Sequence, residues 1–413
     1  MPTLANFPLD NAARRSDAER FAASELPTSA LEVWRYSRID ELDLTRYALP
    51  SDGVVSQPLT AAAEAVLAAA GDLAGLVVTE NGRVVRCEVD DALAAKGVTL
   101  GPVEPGDTAA APPAVDDPFV TLNAAFGAQP LVLTVPDGVV VERPIAVVHV
   151  VAGDGVVVFP HLVVVAGEQS QVTVMEHLSS ADVDALVIPV TDFRVGPAAN
   201  VRHLVVQDLG RRVWQLGYAT SDVGRDGFLE SAAVALGGDY ARLRTDARVS
   251  GQGASSNLMA VYFGEGEQMH DFRTLQDHSA PRTTSDLLFK GAVGGEATSV
   301  YTGLIRVRPG ASGTNAFQTN RNLVLTEGAH AESVPNLEIE ENDVRCSHAS
   351  AIGPVDEDQL YYLESRGVPT TVAERLIVLG FFDEILDRIA VPSLRALLRA
   401  AVGTKLEHAV PRD

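Results

Sequence analysis

Residues 131–178 read "LVLTVPDGVVVERPIAVVHVVAGDGVVVFPHLVVVAGEQSQVTVMEHL", and this stretch decides the fold. It divides into short β-branched runs: LVLTV (131–135), GVVVE (138–142), IAVVHVV (145–151), GVVVF (155–159), HLVVVAG (161–167) and SQVTVMEHL (170–178). Gly, Asp or Pro separates most of them. β-Branched side chains fit a pleated, half-buried surface. Strand-length runs about 8–12 residues apart point to an all-β architecture. The pattern recurs in LIRVRPG (304–310), NLVLTEG (322–328) and NLEIEEN (336–342). Asn-Gly hairpin turns are missing from 119–355, and Gly-rich, acidic corners suit a chain that keeps turning the same way. The expected fold is mainly β, a right-handed parallel β-helix over 119–355 rather than a sandwich.

Outside this core the signals change. The N-terminal part, 1–118, reads as a mixed α/β unit. DAERFAASEL (17–26) and TAAAEAVLAAAGDLAG (60–75) have helical character, the second with a glycine stop. LVVTENGRVVRCEV (76–89) reads as a hairpin, because both Asn81 and Gly82 tolerate the positive φ of a tight turn. In its second strand Val85, Cys87 and Val89 share a face, which predicts a core position for Cys87. GPVEPGDTAAAPPAVDDP (101–118) has linker composition. From 356 to 413 the chain is expected to be helical. Thr371 and Glu374 suggest a capping box at the start of 371–389. That helix carries more apolar residues than one buried stripe needs, among them Leu376, Leu379, Phe381, Phe382 and Ile385. Packing on the next helix, SLRALLRAAV (393–402), and docking of a partner protein both account for this surplus.

The formal net charge is −23, which disfavours nucleic acid and anionic membrane as partners and suits a partner with a basic face. Two distant cysteines are too few for a disulfide framework. No run has the length of a membrane span or a signal-peptide core, so the reading is a cytoplasmic protein. Walker A, G-x-S-x-G, H-E-x-x-H, C-x-x-C and EF-hand patterns are all absent, which removes the common nucleotide, hydrolase and metal-enzyme classes.

The nine histidines are scattered. His149 sits in an apolar strand and reads as a satisfied core residue; His177 reads as surface or corner. His270 and His278 read as hydrogen-bonded corner residues, while His203, His330 and His408 offer no constellation. Cys346 and His348 differ. On a strand, residues i and i+2 face the same side, so a thiol and an imidazole present together. Sulfur plus imidazole suits iron, zinc or copper. Two ligands do not close a coordination shell, so spacing alone favours a structural pair.

DFRTLQDHSAPRTTSDLLFKG (271–291), FQTNRNLVL (317–325) and PNLEIEENDVRCSHASAIGPVDEDQLYYLESRG (335–367) resemble the SufB/SufD family of the SUF iron–sulfur cluster assembly system. LPTSALEVWRYSRI (26–39) resembles its N-terminal entry motif. SufB-type chains carry a cysteine after the P-x-[LI]-E step, where this chain has Ile339; the C-S-H pair resembles the SufD type. The resemblance implies a β-helix between an N-terminal mixed domain and a C-terminal helical domain. It implies a non-catalytic scaffold that pairs with a SufB-like chain and docks a SufC-like ABC ATPase through the C-terminal helices. Iron or a cluster would be shared transiently at the paired interface, with His348 as ligand and Cys346 as a second soft donor or a thiol exposed on rearrangement. A homodimer of the isolated chain is compatible with this. Glu338, Glu340 and Asp343 read as a solvated acidic edge. The competing readings are a SufB-like scaffold that holds a cluster alone, against which Ile339 argues, and a β-helix polysaccharide lyase or hydrolase, which leaves the helical tail unexplained.

Overall fold

The computed structural model describes residues 12–50, 59–104 and 106–409; residues 1–11 and Pro105, which belong to stretches read above, lie outside it. From Leu131 to Gly353 the chain winds into a parallel β-solenoid of about 8 turns, the expected mainly β fold. Each turn contributes to a 10-stranded and an 11-stranded sheet, and from Asn200–Asp208 onward successive strands alternate between the two. Each turn stacks in register on the one before, as the series Tyr240, Met269, Thr298 and His330 shows.

Alternation decides what faces inward. Ile145, Val174, His203, Ser231, Leu258, Leu287, Gln318 and His348 form one register column along the lumen. In the first turns valine, leucine and isoleucine fill much of the lumen. Later turns fill it with amides, hydroxyls and aromatic rings, which must be hydrogen-bonded to be buried cheaply. Tyr262 Oη donates to Asn322 Oδ1 at 2.7 Å, Asn320 Nδ2 donates to Tyr262 Oη at 2.8 Å, and Asn322 Nδ2 donates to Asn320 Oδ1 at 2.8 Å. The Tyr262 ring takes the room a side chain at Gly291 would need.

One corner repeats along the axis. Gly138, Gln169, Ala198, Asp226, Gly253, Arg282 and Gly313 all have positive φ. Each donates its backbone N–H to a carbonyl of the following turn: Gly138 to Glu168, Gln169 to Pro197, Ala198 to Arg225, Asp226 to Gln252, Gly253 to Pro281, Arg282 to Ser312 and Gly313 to Asp343. The hydrogen bonds hold four non-glycine residues in a region L side chains seldom adopt.

Both outer faces are covered. On the 10-stranded sheet, the helices Ala61–Ala70, Thr370–Leu386 and Arg395–Ala409 build one apolar layer with Met259, Val261 and Phe263. The surplus apolar side chains of 371–389 are used here, with Phe382 6.2 Å from Phe263 between ring centroids. That helix starts at Thr370 with Pro369 as N-cap and no side-chain cap, so the expected capping box does not form. On the 11-stranded sheet lies the 26–39 segment. Its Trp34 packs on Phe119 at 5.5 Å and under the Arg242 guanidinium at 3.7 Å. Arg242 Nη2 donates to the Val33 carbonyl at 2.9 Å and Arg273 Nη2 to the Arg35 carbonyl at 2.7 Å. Asp271, fully buried, accepts from Arg242, Arg273 and Tyr240. Burial pushes its carboxyl up, but the two guanidiniums outweigh this and hold it below the ordinary range.

Farther along this face, Arg194, Asp222, Arg248, Asp277, Arg306 and Glu338 occupy one register position on six successive strands, with the sign of the charge alternating at each step. Arg306 Nε donates to Glu338 Oε2 at 2.6 Å.

The two ends of the solenoid differ. At the first, antiparallel partners close the ladder: Gly75–Glu80 with Arg83–Val89, and Thr99–Pro102 with Leu131–Val135. The Asn81-Gly82 turn has the expected positive φ at both residues. Cys87 is exposed, not core as expected, because Arg83–Val89 is an edge strand and its residues from Val85 to Glu88 are exposed on both faces. Its thiol lies 3.3 Å from the Leu100 carbonyl. At the other end, His330–Ile339 and Arg345–Gly353 are the outermost strands of the two sheets, and no further strand pairs with either among the described residues.

Candidate functional site

Cys346 and His348 lie on the terminal strand Arg345–Gly353. In register, Cys346 stacks on Ala316, His348 on Gln318 and Ser350 on Asn320. Ala316, Gln318 and Asn320 are buried in the lumen, so the three terminal residues continue inward-facing columns. Among the described residues no further turn covers them. Lumen side chains therefore meet solvent at this end, and Ser350 Oγ donates to Ser333 Oγ across the mouth at 2.8 Å.

The pair shares a side but not a depth. Cys346 is half-buried and joins an apolar group with Ile305, Ala316, Leu337 and Val344. Burial raises its thiol pKa above the ordinary value, and a backbone hydrogen bond from Ala316 offsets this in part. His348 is exposed. Ile339, which stacks on Val307 at the adjoining corner, is 42 % exposed. The acidic edge beside it is solvated: Glu338 pairs with Arg306, and Glu341 accepts from the Gly310 N–H at 3.1 Å.

An imidazole and a thiol are suitable donors for iron or for an iron–sulfur cluster as cargo. Among the described residues, no three His, Cys, Asp or Glu side chains converge in a way that could hold a metal ion.

The apolar residues expected to contact an ATPase separate by exposure. Leu379, Phe382 and Ile385 are buried in the layer on the 10-stranded sheet. Phe381 is half-buried over the Lys290 ammonium at 4.5 Å, and Lys290 Nζ donates to the Phe381 carbonyl at 2.7 Å. Leu376, 48 % exposed, and Val372, 45 % exposed, remain on the surface, as do Tyr361 and Tyr362 on the preceding helix.

A second polar group lies deep in the lumen, where sequence reading found no constellation. His203 Nε2 bonds Glu176 Oε2 at 2.9 Å, and His149 Nε2 lies 3.7 Å from Glu176 Oε1. Thr79 Oγ1 bonds His149 Nδ1 at 2.7 Å, and Thr191 Oγ1 donates to Glu176 at 3.1 Å. Burial pushes the Glu176 carboxyl up, but the hydrogen bond from His203 and the nearby His149 imidazole prevail and bring it down to about 2. The only sequence signal for this group is strand parity, since its members sit on five separate strands. A cavity of about 50 Å³ adjoins it, with Phe272 and Phe289 on its far wall. His177, expected at the surface, is fully buried beneath the helical layer, and burial takes its pKa down to about 4. His278 makes the expected corner bonds to Thr283 at 2.8 Å and Ser285 at 2.9 Å. His270 instead points into the lumen, where burial brings its pKa to about 3.

Residues 149–381 match the family described as SUF system FeS cluster assembly, SufBD core domain. The chain is 38% identical over 293 residues to an iron–sulfur cluster assembly SufBD family protein of Mycobacterium tuberculosis, covering 69% of this chain and 72% of that one. It is 31% identical to the iron–sulfur cluster assembly protein SufD of Bacillus subtilis, over 71% of this chain and 68% of the relative. The similarity to SufD of Escherichia coli is 26% but extends over 92% of this chain and 89% of the relative.

Proposed function

The chain belongs to the SufBD family of the SUF iron–sulfur cluster assembly system, and from that premise we propose that it is the SufD-type, non-catalytic subunit of the assembly scaffold. One observation carries the reading: among the described residues the solenoid ends in an uncapped turn whose two strands have unpaired edges, one of them carrying Cys346 and His348. Unpaired strand edges recruit further strands. A SufB-type chain docked there would extend both sheets and bring its own donors to face His348. Ile339 supports the SufD assignment, because this position supplies no thiol.

Iron or a cluster is the cargo of this interface. His348, exposed, is the ligand available on first contact. Cys346 is a poorer donor while it remains half-buried, and it becomes a ligand only if the terminal turn opens. A SufC-type ATPase would dock on the exposed side of Thr370–Leu386, around Val372 and Leu376.

The test is co-expression with the SufB-type and SufC-type chains of the same genome. Wild type is expected to give a three-chain complex that accumulates cluster. His348→Ala is expected to give the same complex with a much lower cluster yield. An equal yield would remove His348 from the ligand set, and failure of any complex to form would reject the subunit assignment.

A further inference from the structure

Gln318 is the residue directly beneath His348 in the lumen column. It is 1% exposed, yet neither atom of its amide has a hydrogen-bond partner. Its neighbours in the same turn are satisfied, since Asn320 and Asn322 bond to each other and to Tyr262. A buried amide without partners costs about 1–3 kcal/mol, so an unpaired one calls for an explanation. Space has been kept for it. Across the lumen stands Gly303, where a Cβ would lie 2.6 Å from both Gln318 Nε2 and Oε1. Any other residue at 303 would displace the amide. Above it, on the terminal turn, the exposed His348 has no hydrogen bond among the described residues either.

We propose that Gln318 is the positioning residue for His348: rotation of the exposed imidazole about its side-chain torsions brings one ring nitrogen over the mouth of the lumen, where the Gln318 carbonyl oxygen accepts its hydrogen bond. This inference rests on the reading of His348 as the metal-facing group. A neutral imidazole has one N–H and one lone pair. Fixing the N–H inward leaves the lone pair on the outer nitrogen, facing the docked partner. Hydrogen bonding at the second nitrogen is how proteins usually set the tautomer and the aim of a ligating histidine. The amide carbonyl then gains its missing partner from the terminal turn.

The experiment uses the isolated chain without metal, with ¹⁵N-labelled histidine at about pH 8, where ordinary imidazoles are neutral. Long-range ¹H–¹⁵N spectra report the tautomer of each imidazole, and His348→Ala identifies the His348 signals. Wild type is expected to show one dominant His348 tautomer. Gln318→Leu should turn it into a mixture, and Gln318→Glu, which keeps an acceptor, should restore a single form. Circular dichroism confirms that each variant is folded. An unchanged His348 tautomer in a folded Gln318→Leu protein overturns the proposal, as does a mixture already present in wild type. This readout is separate from cluster assembly. A tautomer change upon Gln318→Leu, alongside normal assembly by His348→Ala, would leave the positioning contact standing and reject the ligand reading.

Discussion

The ring of Tyr262 crosses the space in front of Gly291: a Cβ at 291 would lie 2.0 Å from Tyr262 Cε2 and 2.5 Å from Asn322 Oδ1. Tyr262 is fully buried and tied to Asn320 and Asn322, so it cannot swing away without breaking those bonds. Gly291→Ala is therefore expected to destabilise by at least about 1–3 kcal/mol, the ordinary cost of overpacking. A urea midpoint equal to that of wild type would show that the ring moves freely.

Asp271 neutralises two buried guanidiniums at once. Asp271→Ala leaves Arg242, Arg273 and the Tyr240 hydroxyl without their shared acceptor, and breaking such a group costs about 3–5 kcal/mol. The 26–39 segment should loosen with it, because the same arginines hold its carbonyls. Hydrogen exchange at residues 33–37 should quicken more than exchange in the lumen strands. Uniform change across both would contradict the local anchoring.

Acid should weaken the fold well before carboxylates protonate. Burial lowers His161, His177 and His278 to about 4 and His270 to about 3. Their folded pKa values lie below the unfolded value near 6.5, so the unfolded chain takes up protons first as pH falls. Stability is full above about pH 6.5 and declines toward pH 4 by roughly 1.4 kcal/mol per unit for each histidine fully in play. Glu176, held down to about 2, adds a loss of the same sign below the ordinary carboxyl range. Asp117 and Asp192, raised by burial, act in the opposite sense. A flat denaturation midpoint between pH 7 and 5 would contradict the neutral, buried state of these histidines.

The two thiols should separate under alkylation. Burial raises both pKa values, so both react slowly at neutral pH. Cys87 is exposed and Cys346 half-buried, so iodoacetamide should label Cys87 several-fold faster in the isolated chain. Peptide mass spectrometry gives the ratio. Faster labelling at Cys346 would mean the terminal turn opens in solution.

Leu376 and Phe382 lie on the same helix with opposite surroundings. Phe382→Ala is expected to cost about 3–5 kcal/mol, the usual price of emptying an aromatic core position. Leu376→Asp should change stability by no more than about 0.5 kcal/mol. If the ATPase docks there, the Leu376 variant alone should lose it in pull-down while remaining fully folded. Retained binding would move the dock elsewhere.

The run at 131–178 announced the solenoid because alternation and β-branching are local signals. The repeat itself was hidden. Its left-handed corner is occupied by Gln169, Ala198, Asp226 and Arg282 as well as by glycines, since hydrogen bonds between turns supply what composition does not. The shared side of Cys346 and His348 followed from strand parity. That their strand is the last of its sheet did not, because sheet order is a long-range property. The Glu176 group was invisible for the same reason. The helix 371–389 was legible as too apolar, but only packing shows that Leu379, Phe382 and Ile385 face inward while Leu376 does not.

The series Arg194, Asp222, Arg248, Asp277, Arg306, Glu338 imposes a parity rule on how this fold can change length. Removing the turn that carries Arg248 would set Asp222 beside Asp277, and like charges in register are destabilising. Removing the turns of both Arg248 and Asp277 would restore opposite signs, with Asp222 beside Arg306. Shortened chains should therefore tolerate the loss of two neighbouring turns better than the loss of one, and the difference should shrink in high salt. Evolution of this solenoid by duplication would then proceed in pairs of turns.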